Sequence, residues 1–321
     1  MISGVIHGVI RPTVRATLSK GVGGLNDFRQ RMPVGATYTR TGAATGLTLA
    51  GLVQSFAADV PQRTDRGLVL GPERTNSLLR SQEFDNAYWS KNNASISANA
   101  TTAPDGTITA DKIEETTATG IHGVNRIITA ANVAVQASTF AKAAERNFAC
   151  VGITDLTTGD AAVFVDLTTG AMTTTSGGSW TGVSAFALSC ANGFWFIGLL
   201  ATKGAGTDFS PYVRAATGPS TVSYAGTTGS GINIWQSDVQ VGTGHASPIF
   251  TTNATATRGL PVFTEPVPSG RTKALLTYAD ATTTLVTGLT PGGTFDVASA
   301  VIGAGKGAFG ASELITREWR A

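Results

Sequence analysis

Charge is scarce in this chain. Only 14% of its 321 residues are Asp, Glu, Lys or Arg, against about a quarter in an ordinary globular protein, which excludes a disordered polyelectrolyte and argues against a helix-rich enzyme. The 23 basic and 21 acidic residues leave a formal +2, too even a balance for nucleic-acid binding. Long apolar runs are missing as well: Thr, Gly, Asn or a charge interrupts each one before the roughly 18 residues a spanning helix needs, so no membrane insertion is expected. Two cysteines, Cys150 and Cys190, are too few for a disulfide framework, and their strand-like surroundings suit reduced, buried thiols. The three histidines, His7, His122 and His245, stand far apart without His-x-x-x-His or Cys-x-x-Cys spacing. No metal site and no cofactor is expected from them.

Catalytic patterns fail for physical reasons. Gly305-Lys-Gly-Ala-Phe-Gly310 matches G-x-G-x-x-G, yet only 11 residues follow it, leaving no room for the helix and acidic residue of a dinucleotide site. It reads as a flexible loop. Gly307 also occupies the place of the magnesium-binding hydroxyl in a phosphate loop. No Gly-x-Ser-x-Gly elbow occurs. Glu114-Glu115 is the obvious carboxylate pair for glycan hydrolysis. Neighbouring strand residues point to opposite faces, however, so the two cannot flank one bond. Asp155, Asp160 and Asp166 read as turn and strand-edge residues. No catalytic residue is assigned.

What the chain does have is a sheet-and-turn inventory: 39 glycines and 42% apolar residues. From Asn92 onward, short β-branched and aromatic runs recur about every ten residues between Gly, Asn, Asp and Thr, the pattern of an antiparallel sandwich or barrel. Asn192-Gly193 predicts a two-residue type I′ hairpin, because both positions tolerate positive φ. Thr158-Gly159 and Thr169-Gly170 bracket a strand over 161–167, with Val163 and Val165 on one face and Phe164 and Asp166 on the other. Strict alternation through Gly231–Val241 puts Ile232 and Ile234 with Gln236 and Asp238, and Trp235 and Val239 with Asn233 and Ser237, so each face reads as partly polar.

The expected organisation is an irregular N-terminal arm over 1–75, a sandwich over 76–258, a Pro-rich linker over 259–270 and a small β-domain over 271–321. In the last unit, strands are expected at Lys273–Tyr278, Thr284–Thr287, Thr294–Val297 and Leu314–Trp319, with a turn at Pro291–Gly293. Before Asp59 stand six basic residues, Arg11, Arg15, Lys20, Arg29, Arg31 and Arg40, against Asp27 alone, a local +5 that leaves −3 for the remainder. This is either a solvated arm or a surface that docks on an acidic partner. Arg11 and Arg15 interrupt what would be the apolar core of a signal peptide, so export through a secretion channel is not expected.

Aromatic rings are the remaining candidates for binding. Exposed rings stack on the apolar faces of sugars. Trp195 and Trp235 sit within strand-like runs and read as core, whereas Trp89 and Trp180 adjoin polar or Gly-rich sequence and are the candidates for an exposed platform. Together with Tyr88 and Tyr212 they form the expected carbohydrate-binding set, while Arg11, Arg15 and Lys20 are the expected attachment residues.

Several runs together resemble a module of tailed-bacteriophage structural proteins. They are Ala36-Thr-Tyr-Thr-Arg-Thr-Gly42, the stretch from Arg66-Gly-Leu-Val-Leu-Gly-Pro-Glu-Arg-Thr-Asn76 through Phe84 and Trp89 to Lys91, Ala103-Pro-Asp-Gly-Thr-Ile-Thr-Ala-Asp-Lys112, Asn192-Gly-Phe-Trp195, Gly231-Ile-Asn-Ile-Trp235 and Ala254-Thr-Ala-Thr-Arg258. The resemblance spans about residues 25–258. It implies an all-β fold with a jelly-roll, concanavalin-like sandwich, carried on a head spike, head fibre or tail fibre. It also implies a virion-surface subunit, folded in the bacterial cytoplasm, with other virion proteins and host-surface polysaccharide as partners and a homo-oligomer, a trimer first, as the assembly. It supplies no sugar-binding residue: Arg74, Asn76, Phe84 and Trp89 recur as framework. A purely structural adaptor, collar or baseplate piece and a glycan depolymerase are the alternatives.

Overall fold

In the computed structural model, the described residues are 25–129, 134–157, 159–204, 206, 208–244, 246–307 and 312–321. Arg11, Arg15, Lys20, His7, His245 and Thr158 lie outside them. The chain is all-β. Every strand pairing among the described residues is antiparallel, and the sole described α-helix, α1, is the short segment Val297–Gly303. That helix is capped by Asp296, whose carboxylate accepts from the Ser299 N–H.

The sandwich is built from eleven main strands: β1 (Ala94–Thr101), β2 (Ala110–Glu115), β3 (Thr119–Asn125), β4 (Ala134–Ala143), β5 (Phe148–Thr154), β6 (Asp160–Asp166), β7 (Met172–Ser176), β8 (Trp180–Ser189), β9 (Trp195–Lys203), β10 (Asp208–Ala216) and β11 (Gly231–Val241). Sheet I runs in the order β8-β9-β4-β11-β2-β1, and sheet II in the order β7-β6-β5-β10-β3, extended by Ser223–Ala225. Ile113, Ile197, Leu199, Ile232 and Ile234 of sheet I pack on Val124, Val151, Val163, Val165 and Val213 of sheet II in one buried core. Alternation in β6 works as the sequence predicts: Val163 and Val165 enter this core, while Phe164 joins a separate cluster with Cys150 and Tyr212 on the opposite face of sheet II.

The β8–β9 connection turns at Asn192 (φ 60°) and Gly193 (φ 77°), closed by the Phe194 N–H donating to the Ala191 carbonyl. Positive φ at both central positions is what the Asn-Gly pair predicts. Cys150 and Cys190 are unpaired and buried.

In β11 the structure departs from strict alternation. Thr139 pairs with Ser237 and Phe140 with Trp235, so Gln236 (φ 52°) is an extra residue that inverts everything after it. Ile232, Ile234 and Val239 thereby share the sandwich core. Trp235, Asp238 and Gln240 face outward together, as the cross-strand partners of Phe140, Ser138 and Gln136. The bulge gathers Ile232, Ile234 and Val239 on the core face and moves Asp238 and Gln240 to the other, beside Trp235, where strict alternation puts Asp238 with Ile232 and Ile234.

The outer face of sheet I is covered. The hairpin Ala44–Leu47/Val53–Phe56 brings Leu47 and Val53 onto Phe140, Phe186, Phe196 and Trp235. Segment 246–251 lies over the polar part: Gln136 and Gln240 donate to the carbonyls of Ala246 and Ser247, and Asp238 accepts from the Ile249 N–H at 2.6 Å.

Residues 25–75 are not an irregular arm, and 259–270 is not a bare linker. Asn26–Asp27 and Gly67–Leu68 both pair with the last strand, Leu314–Arg320, and Val262–Pro266 is the central strand between Thr37–Thr39 and Thr294–Asp296. Phe28, Leu68 and Leu70 share one core with Phe263, Leu276, Val301 and Trp319. The physical reason is size: some 50 C-terminal residues bury too little alone, and the N-terminal residues complete their core. Strands Lys273–Tyr278 and Thr283–Val286 form as expected within a residue, but Val297 opens helix α1 rather than closing a strand.

Candidate functional site

The expected aromatic platform is not on the surface. Trp89 is 3% exposed and Trp180 4%, and both belong to the sandwich core. Trp89 packs at 5.0 Å on Phe84 and edge-on to Tyr88, and its indole N–H donates to the Arg80 carbonyl at 2.9 Å. Trp180 meets Phe209 edge-on. Polar neighbours in sequence do not expose a ring whose large apolar area gains more from burial. Tyr88 is half-buried beneath Arg126, whose guanidinium lies 4.3 Å from the ring centroid, and its hydroxyl accepts from the Leu79 N–H. Asn76 and Phe84 are also buried.

Tyr212 is different. It lies on the face of sheet II that points away from the core, in a cluster with Cys150, Ala162, Phe164 and Ala216, but at 3% exposure its ring is no open platform either, and the part of this unit that reaches solvent is Asp160. Gly152 on the neighbouring strand lacks a side chain, so the Tyr212 ring lies across the sheet there; a Cβ at Gly152 would sit 2.3 Å from the phenol oxygen. The phenol donates to the Asp160 carboxylate at 2.9 Å. Arg214, two residues along and therefore on the same face, stacks its guanidinium 3.5 Å from the Tyr212 centroid. Only 4.0 Å separates Arg214 Nη1 from Asp160 Oδ2, and Asp160 keeps 47% of its side chain exposed. Burial pushes the Tyr212 phenol well above its usual range, so it stays a donor.

The same face continues toward β3 as a polar ladder. Asn92 donates to Asn125 at 2.7 Å, Asn125 to Ser210 at 3.0 Å, and Ser210 to the Arg126 carbonyl. Phe164 flanks the other side. A carboxylate, a guanidinium, amides and hydroxyls on one face are groups suited to sugar hydroxyls. Arg214 and Asp160 are the residues that sequence reasoning missed. Their signal was the two-residue spacing of Tyr212 and Arg214 in one strand.

Of the other carboxylates weighed from sequence, Glu115 and Asp155 are committed. Glu114 and Glu115 face opposite ways, as adjacent strand residues must. Buried Glu115 accepts from Arg146 Nε and Nη2 at 2.7 Å each, from Tyr224 at 2.6 Å and from the Thr227 N–H. Burial opposes its charge, but these donors outweigh that and hold the carboxyl at about 2. Asp155 is occupied by Thr157, Gly159 and Ser179. His122 is buried with its two ring nitrogens beside the carbonyls of Asn93 and Tyr224. Among the described residues no three His, Cys, Asp or Glu gather as a metal site would require. Burial pushes the Cys150 and Cys190 thiols up to about 12, which keeps them protonated and unreactive.

No protein-family model matches the chain, and no curated protein matches it.

Proposed function

We propose that the chain is a non-enzymatic virion-surface subunit of the phage spike or fibre kind, whose jelly-roll sandwich binds host-surface polysaccharide on the outer face of sheet II. The observation that carries the binding half is the Tyr212–Asp160–Arg214 unit, a buried phenol orienting a half-exposed carboxylate beside a stacked guanidinium. The ordered sequence landmarks from Ala36 to Arg258 support the virion half. Reduced, buried cysteines suit folding in the bacterial cytoplasm. A cyclic homo-oligomer, a trimer first, is the assembly in this reading.

The test is binding of the full chain to immobilised polysaccharide extracted from host surfaces, compared with Arg214→Ala. Retention by one such extract, weakened about tenfold in the variant, is the expected result. Lack of retention by every extract would remove the receptor role. A second reading, a purely structural adaptor or collar piece, is favoured by the burial of Trp89 and Trp180; it expects no retention and a fixed place against other virion proteins. Glycan cleavage gains no such support, because Glu115 is already saturated by its donors.

A further inference from the structure

A groove of about 690 Å³ opens where the sandwich meets the terminal unit, and its charged lining residues are Arg74 and Lys306. Arg74 is built into it. Its guanidinium passes so close to Gly242 that a Cβ there would lie 2.4 Å from Arg74 Cζ, and the left-handed φ of 129° at Gly242 also suits glycine alone. Nη1 donates to the Glu73 carbonyl at 3.0 Å and Nη2 to the Thr243 carbonyl at 2.5 Å. A guanidinium has five N–H donors, so these two bonds leave three without an acceptor among the described residues. Burial disfavours its charge, and neither of its two hydrogen bonds is to a carboxylate.

A second positive charge stands behind the groove wall. Arg258 is 1% exposed and donates to the carbonyl of Pro72, itself a lining residue. Its Nε has no partner; burial disfavours its charge most, Arg74 and Arg40 add to that, and Asp238 opposes them. At the end of α1 the N–H groups of Ala304, Gly305 and Lys306 occupy the carbonyls of Ala300, Ile302 and Val301, which takes those three oxygens out of the groove's polar lining.

We propose that this groove is an anion site that takes a carboxylate or phosphate group, borne on a sugar or free, with Arg74 as the main donor and Lys306 as the second cation. Lys306 holds Asp280 at 2.7 Å, so a bound anion competes with that carboxylate. The site is distinct from the face around Tyr212.

Calorimetric titration of the full chain at low salt with glucuronate, glucose and inorganic phosphate tests this. Glucuronate binding at about millimolar strength, with glucose silent, is expected. Phosphate much weaker than glucuronate identifies an acidic sugar as the source, and phosphate of equal strength a free anion. Arg74→Gln weakens binding about tenfold or more, and Asp280→Asn, which frees Lys306, strengthens it several-fold. Arg214→Ala leaves it unchanged, so failure here and failure of the polysaccharide face are separately visible. Absence of both anions, or equal affinity in a folded Arg74→Gln variant, overturns the proposal. If that variant does not fold, unaltered affinity in both Lys306→Gln and Asp280→Asn overturns it instead.

Discussion

Arg317 and Glu265 meet as a two-bond fork, Nε to Oε1 at 2.7 Å and Nη2 to Oε2 at 2.5 Å, with 5% and 1% of their side chains exposed. The pair ties the strand that leaves the sandwich to the last strand of the chain, and Arg317 also lies 4.4 Å from the Trp319 ring centroid. Removing one partner leaves an uncompensated buried charge. Glu265→Ala and Arg317→Ala should each lose about 3–5 kcal/mol in chemical denaturation. A loss below about 1 kcal/mol for both would mean that the fork does not hold the terminal unit together.

Asp238 should make the chain less stable as pH rises. Burial lifts its carboxyl from 3.8 to about 7, against weaker opposing help from the Ile249 N–H, Gln240 and Gln236, and Arg258 is the charged group acting on it. A carboxyl raised on folding carries no penalty while protonated in both states, and acquires one as the unfolded form ionises first. Stability should therefore fall between about pH 4 and pH 7 and level off above. The unpaired oxygens of Gln236 and Gln240 offer acceptors for an amide at this position. Asp238→Asn should flatten that slope, and an unchanged slope in the variant would assign the pH dependence to another group.

Glu115 carries the opposite sign. Its folded carboxyl sits at about 2 against 4.5 unperturbed, so its contribution is complete above about pH 5 and disappears as pH falls through 2. The shift corresponds to roughly 3 kcal/mol. Acid unfolding of Glu115→Gln should lack this component, and the variant should be less stable at pH 7 because Arg146 loses its charged partner. Equal midpoints for the variant and the parent at pH 7 would show that Arg146 contributes nothing through this pair.

Local patterns carried much of the fold and little of the site. Alternation placed Val163 and Phe164 on opposite faces, and Asn192-Gly193 announced its turn, because both depend on neighbouring residues alone. The bulge at Gln236 is set by pairing with Thr139 and Phe140, nearly a hundred positions away. Asn26 likewise finds its partner at Arg317, so residues that look irregular alone become strands only when the last strand arrives. Ring burial follows the same logic. Nothing beside Trp89 in sequence shows that Phe84 and Tyr88 will close over it. Tyr212 ends on the outer face through the parity of β10, and the glycine beneath it comes from β5.

That glycine gives the sharpest test of the sheet II face. Gly152→Ala adds one methyl group, changes no charge and keeps a strand-compatible residue, yet the new Cβ would lie 2.3 Å from the Tyr212 oxygen and 2.4 Å from Cζ. The ring must lift. In doing so it leaves Asp160 and carries Arg214 off its stack. Overpacking of this kind costs about 1–3 kcal/mol. Polysaccharide retention should drop at least as far as in Arg214→Ala, while glucuronate binding in the Arg74 groove stays at the parent level. A variant that folds with parent-like retention would show that sugar recognition does not pass through Tyr212, leaving the exposed Asp160 and the Asn92–Asn125 ladder to account for it.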